Sequence, residues 1–339
     1  MYIIQLMRLA VVGLGFMGSV HLKALRSVPD VKLSAVVSRD ESKLGGDLSH
    51  AGGNLAGSGE HFDFSGVRKY RDLDSALADP EIDAVDLCLP TDLHEQTTIR
   101  SLRAGKHVLV EKPMALSTAA CKRMLDEARR AQRVLMVGHV LRFFPAYRAV
   151  SEAMQDLGEI RSATFRRRCA RPTWADWQSD STRSGGAVLD LLIHDVDFVL
   201  HLFGPPVAIA ASGRLDRDID IVSAELSYDG GFKVDIVGGW HPGRFPITMK
   251  YRVIGSHGSV DFNFNAHPPR IHRNGVFENL PLTDADGYAA EIAYFARCVQ
   301  SGRDPVECKP EDSARAVRLS LAIIEARKRN GEKIPWKSE

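Results

Sequence analysis

The chain has few of the features that mark secreted or membrane proteins. Its five cysteines, Cys88, Cys121, Cys169, Cys298 and Cys308, form neither a C-x-x-C pair nor an even ladder. That argues against a disulfide framework and a structural zinc site, and suits a reducing compartment. An excess of one charge is also missing. The 44 Lys and Arg against 43 Asp and Glu leave a formal charge of +1, so nothing global recruits nucleic acid or an acidic membrane. No apolar run approaches the length of a bilayer span. The opening "MYIIQLMRLAVVG" has no charged residue ahead of its apolar ones and no cleavage site, so no signal peptide is expected. Met7 reads as an alternative start with residues 1–6 a short extension, and a cytoplasmic location is expected. Internal repeats and low-complexity segments are absent.

A length of 339 residues suggests two domains. "RLAVVGLGFMGSVHLKALRSV" reads as strand, glycine turn and helix, and "VKLSAVVSRD" adds a second strand to make a βαβ unit. A glycine-rich stretch over 51–66 interrupts the pattern. "GVRKY", "LDSALADPEIDAVDLCLP", "TDLHEQTTIRSLRAGKHVLVEKP" and "TAACKRMLDEARRAQRVLMVGH" then continue strand and helix alternation. This describes a doubly wound α/β Rossmann domain over 1–137. After Val137 come strand-like runs joined by short Gly or Asp turns, closed by two helices at "GYAAEIAYFARCVQSG" and "PEDSARAVRLSLAIIEARKRNG". Residues 138–339 are therefore expected to form an α+β domain on a large, open, mostly antiparallel sheet. In it "RRR" at 166–168 reads as one strand with charges alternating across its faces. The outer face of such a sheet is expected to be apolar and covered, so a homodimer or homotetramer is expected.

Gly13, Gly15 and Gly18 form a G-x-G-x-x-G between strand and helix. That context turns a weak pattern into a dinucleotide fingerprint, with backbone amides meeting a pyrophosphate. At the end of the second strand Ser38-Arg39-Asp40 puts Ser38 where NAD sites carry an acid, and Arg39 is placed either to stack on adenine or to pair with a 2′-phosphate. Asp40 is either a helix N-cap or the acid of a strand that ends later. NADP is favoured over NAD. Further strand ends carry Pro90, Thr91 and His94, placed to touch the nicotinamide half, and then Glu111 and Lys112 before a proline. Taken alone, the last two read as readily as a surface ion pair.

The run "GGAVLDLLIHDVDFVLHLFG" carries Asp190, His194, Asp197 and His201 at i, i+4, i+7 and i+11, one stripe at helical pitch. Together with "GLGFMG" and "EKP" it resembles the glucose–fructose oxidoreductase and inositol dehydrogenase (Gfo/Idh/MocA) family over nearly the whole chain. The resemblance implies NAD(P)-dependent oxidation of a hydroxyl, or reduction of a carbonyl, on sugars, polyols or related cyclic compounds. It implies that Lys112 touches nicotinamide and substrate, that His194 is general acid/base and that Asp190 shares its pocket. It matches Phe16 and Met17 to the pyrophosphate loop, Arg142 to a polar position near the substrate, and Trp174 and Trp177 to a variable substrate loop. Asp197 and His201 then read as structural, with Asp197 bracing the helix against the Rossmann domain. Three other readings compete with it. One is a glycosidase that recycles bound NAD; another is a metal face built from the four-residue stripe, which lacks support elsewhere; the third is a cofactor-binding regulator without turnover. No metal is expected.

Overall fold

The computed structural model describes residues 6–53 and 59–336. Residues 54–58 of the glycine-rich stretch, and 1–5 of the N-terminal extension, lie outside the described residues. The first half alternates strand and helix: β1 (Met7–Val12), α1 (Phe16–Leu25), β2 (Val31–Val37), α2 (Glu41–Leu44), β3 (Arg68–Tyr70), α3 (Leu73–Leu77), β4 (Ala84–Leu87), α4 (His94–Arg103), β5 (His107–Glu111), α5 (Thr118–Ala131) and β6 (Leu135–Gly138). β1, β4, β5 and β6 are buried almost throughout, which is why they read as short apolar runs. Every pairing is parallel, and the order β3-β2-β1-β4-β5-β6 is that of dinucleotide-binding domains. Helix starts are set by local acceptors: Asp72 accepts the Ser75 N–H for α3, and Ser117 the Ala120 N–H for α5.

The second half contains α6 (Pro145–Ala153), β7 (Ile160–Ala170), α7 (Asp176–Ser179), α8 (Ser181–Ser184), a π-helical turn at Val188–Leu192, and α9 (Ile193–Phe203). Strands β8 (Ala208–Leu215), β9 (Asp220–Ser227), β10 (Lys233–His241), β11 (Thr248–Gly255), β12 (Gly258–Asn263), β13 (His267–Arg273) and β14 (Val276–Asn279) follow. Then come α10 (Gly287–Ser301), α11 (Pro310–Lys328) and β15 (Ile334–Pro335). Among the described residues nine strands form one sheet in the order β14-β13-β12-β11-β7-β10-β9-β8-β15, and only β7–β10 pairs in parallel.

The compact units do not follow the chain in a single cut. One comprises Met1–Val140 and Ala285–Ala314, the other Leu141–Asp284 and Arg315–Glu339. A linear boundary at 137/138 cannot express this return: α10 packs on α1 and β1, so it folds with the first unit although it follows the second sheet in sequence.

Within the second unit, the inner sheet face carries Phe165 and Tyr251, which meet Tyr147 of α6 and Phe198 of α9 edge to face or tilted, at centroid distances of 5.0–6.1 Å. In β7 the alternation is as expected, with Arg167 buried and Arg166 exposed. The outer face, however, is polar. The cross-strand row Arg270, Asp261, Arg252, Thr164, Asp235, Glu225 runs over six strands. The apolar outer face expected from sequence is therefore not there, and with it goes that ground for a homodimer or homotetramer. Arg270, Asp261 and Arg252 alternate in sign along the row, and Glu225 at its other end pairs with Lys233.

Candidate active site

The glycine turn has the shape that a pyrophosphate requires. Gly13 has φ +95°, and a Cβ there would fall 2.4 Å from the Cys88 carbonyl oxygen. A Cβ on Gly18 would fall 2.0 Å from the Gly13 oxygen, whereas one on Gly15 would meet nothing within 4 Å. The outer two glycines thus let the turn and α1 close on β1 and β4, and the middle one leaves space for a ligand. α1 starts without a side-chain cap and without an acidic residue in its first turn, as an anion site needs. Phe16 and Met17 are half-buried in that turn. Gly53, from the glycine-rich stretch, lies against the Phe16 ring, close enough that a Cβ there would overlap it.

At the end of β2, Ser38 is half-buried and Arg39 exposed. Asp40 is the N-cap of α2: its Oδ1 accepts the Ser42 N–H at 3.1 Å and the Ser42 hydroxyl at 2.6 Å. Those bonds from Ser42 hold its carboxyl below the ordinary aspartate pKa. Of the two roles open to Asp40, the structure takes the cap.

Two residues expected at the cofactor turn inward instead. His94 Nδ1 lies 2.8 Å from the Pro113 carbonyl and its Nε2 2.9 Å from that of Leu89, and the ring is buried. Burial depresses its pKa against the pull of both carbonyls. His94 therefore ties the β4 and β5 end loops together rather than presenting a nitrogen to a ligand. Those loops carry Pro90 and Thr91, with Thr91 buried, and half-buried Lys112. Glu111 is also buried: Oε2 accepts the Lys112 N–H at 3.0 Å, and Oε1 lies 3.0 Å from His21 Nε2. It shapes the loop from beneath.

His21 was not singled out by sequence. Its Nδ1 lies 2.8 Å from Asp86 Oδ2, so one imidazole of α1 joins carboxylates from β4 and β5, all buried. A lone aspartate in the apolar β4 run "AVDLCL" was the available signal. Burial works to lower the His21 pKa, but the Asp86 carboxylate carries it well above the ordinary histidine value. Burial likewise pushes Glu111 up, and pairing with His21 brings it below the ordinary glutamate value. Cys88 Sγ is 3.6 Å from His21 Nδ1, and burial pushes the thiol up to about 12. His21, Asp86 and Cys88 form a group of metal-capable donors among the described residues. Yet 2.8 Å is a hydrogen-bond distance, whereas two ligands of a tetrahedral ion stand about 3.3 Å apart. The group is an ion-pair network.

This network predicts a pH dependence. A histidine whose pKa is raised by folding contributes stability that is full below the unfolded value and is lost as pH rises toward the folded value. The melting-temperature advantage of the wild type over His21→Asn should therefore be largest near pH 6 and shrink toward pH 9. Thermal denaturation across that range checks it; a constant or growing gap would contradict a charged His21.

In the second unit the polar stripe divides. The π-helical turn at Val188–Leu192 adds a residue to the spiral ahead of α9, so helical pitch does not carry through. Asp190 is buried within that turn, His194 is half-buried at the second residue of α9, Asp197 is fully buried and His201 is exposed. Arg142, expected near the substrate, holds Asp197: its Nε donates to Oδ2 at 2.9 Å and its Nη2 to Oδ1 at 2.6 Å. Asp197 thus ties α9 to Arg142 within its own unit. On another side Arg167 of β7 donates from Nε to Asp195 Oδ2 at 2.7 Å and from Nη2 to the Tyr147 hydroxyl at 2.9 Å. Burial pushes the Asp195 carboxyl up, and Arg167 opposes it. Asp195 follows His194 directly and lies off the i, i+4 stripe, so helical periodicity does not point to it. Leu191 of the turn and Ala187 just before it pack with Trp240 and Cys169. Trp174 and Trp177 are half-buried in the segment before it. With Asp197 spent on Arg142 and His201 exposed, the four stripe residues do not converge on a metal.

Residues 7–139 match the model of an oxidoreductase family with an NAD-binding Rossmann fold, and residues 147–261 match a GFO/IDH/MocA C-terminal domain. An inositol 2-dehydrogenase of Rhizobium meliloti is 30% identical over 334 residues, 93% of this chain and 94% of its own. A scyllo-inositol 2-dehydrogenase (NAD(+)) of Bacillus subtilis is 29% identical over 88% of each chain. The crystal structure of a 3-ketoreductase from Actinomadura kijaniata in complex with NADP and TDP-benzene superposes with a TM-score of 0.81. It is 26% identical and covers 95% of this chain and 98% of its own. No helix of the described residues is long and apolar enough to cross a membrane.

Proposed function

The chain belongs to the GFO/IDH/MocA oxidoreductase family, and from that premise we propose that it transfers hydride between NADP(H) and a hydroxyl-bearing carbon of a sugar, inositol or related cyclic polyol. One observation carries the reading: a glycine turn left open at Gly15 occurs in the same chain as Asp190 and His194 on a helix fixed by buried ion pairs.

When bound, the nicotinamide supplies the hydride chemistry. The chain's own residues do the rest. Amides of the Gly13–Gly18 turn hold the pyrophosphate, and Pro90 and Thr91 line the end of β4. His194 takes the hydroxyl proton during oxidation and returns it during reduction, a task suited to an imidazole near neutral pH. Asp190 orients the same hydroxyl. Lys112, held at the end of β5 by Glu111, donates to the substrate oxygen and offsets charge that develops there. Trp174 and Trp177 offer flat apolar faces to a ring.

NADP is preferred in this reading because Asp40 is committed to capping α2, which leaves Ser38 and exposed Arg39 to meet the adenosine ribose. Ser38→Asp should weaken NADPH binding by at least about tenfold, through like-charge repulsion of the 2′-phosphate, and strengthen NADH binding. Fluorescence titration of both cofactors decides the point. Unchanged NADPH affinity, or a wild type that already prefers NADH, would remove the NADP assignment.

A further inference from the structure

We propose that Asp220 is a positioning residue of the reaction: a carboxylate from β9 that fixes where the helix bearing Asp190 and His194 begins. The inference rests on the dehydrogenase reading above and adds to it a residue remote in sequence. Asp220 is buried, its Oδ2 accepts the Ala187 N–H at 2.7 Å, and its Oδ1 lies 2.6 Å from Arg327 Nη1 of α11. Ala187 immediately precedes the π-helical turn that contains Asp190.

A helix is usually capped by the residue just before it, which stabilises the helix wherever it goes. Here the preceding residues, Gly185 and Gly186, have no side chain and both have positive φ, +78° and +73°. Ser184 Oγ accepts the Gly186 N–H, and the Ala187 N–H goes to a carboxylate 33 residues away. Such a cap ties the helix start to one place on the sheet. The glycine is part of the device, because a Cβ on Gly186 would fall 2.7 Å from Asp220 Oδ2. The sheet residue is fixed in turn, since Asp220 pairs with Trp240 of β10 and Leu215 of β8, and Arg327 holds its second oxygen. With Arg142 on Asp197 and Arg167 on Asp195, the helix is held at its start and along its length.

The experiment compares Asp220→Ala and Asp220→Asn with wild type in the full chain. It uses NADP(+) with a panel led by myo-inositol, scyllo-inositol and D-xylose, and amide hydrogen exchange over residues 186–200. Asp220→Ala should lower kcat by about tenfold or more while KM changes by less than about threefold, because misplacement of reacting groups acts on turnover. Its exchange over 186–194 should rise while exchange in the other inner-face strands stays near wild type. Asp220→Asn keeps one acceptor for Ala187 and should restore both readouts to within about threefold of wild type. If Asp220→Ala only lowers the melting temperature, with kcat and exchange over 186–194 unchanged, the proposal is overturned. If no polyol is turned over by wild type, the dehydrogenase reading fails, and the exchange arm still decides whether Asp220 fixes the helix.

Discussion

His194→Ala should lower kcat by about 10²- to 10⁴-fold while leaving the NADPH dissociation constant within about twofold of wild type. The reasoning is spatial and chemical together. His194 lies on α9 and the glycine turn joins β1 to α1, so the variant keeps every residue assigned to the pyrophosphate. What is lost, on the proposed reading, is the group assigned to move the hydroxyl proton. Lys112→Ala should produce a comparable fall, since the ammonium at the end of β5 is assigned to the substrate oxygen. Steady-state rates and cofactor titrations on the same preparations separate the two quantities. Near-wild-type turnover in both variants would sink the catalytic assignment, and a parallel loss of NADPH binding in His194→Ala would point to misfolding instead.

Arg167→Ala should be the most destabilising single change, at about 3–5 kcal/mol by chemical denaturation. The guanidinium is buried and bonded to both Asp195 and the Tyr147 hydroxyl, so its removal strands a charged carboxylate and a hydroxyl in the interior. The double variant Arg167→Met, Asp195→Leu removes both charges and should recover most of that loss. It should not recover turnover, because the side clamp on the helix that bears His194 is still gone. A double variant as unstable as the single one would mean that packing, not an unpaired charge, sets the cost. One with wild-type turnover would mean that the clamp does not position His194.

Strands buried on both faces and glycine turns with a steric reason could be read directly from the residues. "RLAVVGLGFMG" specifies β1, the turn and α1, and the alternation in "TFRRRCA" specifies which arginine of β7 goes inward. Residue types were harder to assign to duties. Glu111 and His94 lie at strand ends, yet one is paired with His21 and the two ring nitrogens of the other face two carbonyl oxygens. Sequence shows that such residues lie near the site but not which way they turn. Long-range partners were invisible for a different reason. Asp220 meets Ala187, and Asp86 meets His21, only through tertiary folding, and no spacing rule relates residues 33 or 65 apart. The π-helical turn was hidden too, because helical periodicity assumes an unbroken pitch, and one extra residue offsets Asp190 from the α9 residues that follow it.

The most direct test is to add NADP(+) and a cyclic polyol panel to the purified chain and follow both the reduced-nicotinamide absorption band and loss of polyol by chromatography. The account predicts that for at least one polyol the two change together, one NADPH for each polyol consumed, and that a keto product accumulates. Consumption of substrate with no net change in the band would contradict it, and would show an enzyme that regenerates its nicotinamide within each cycle.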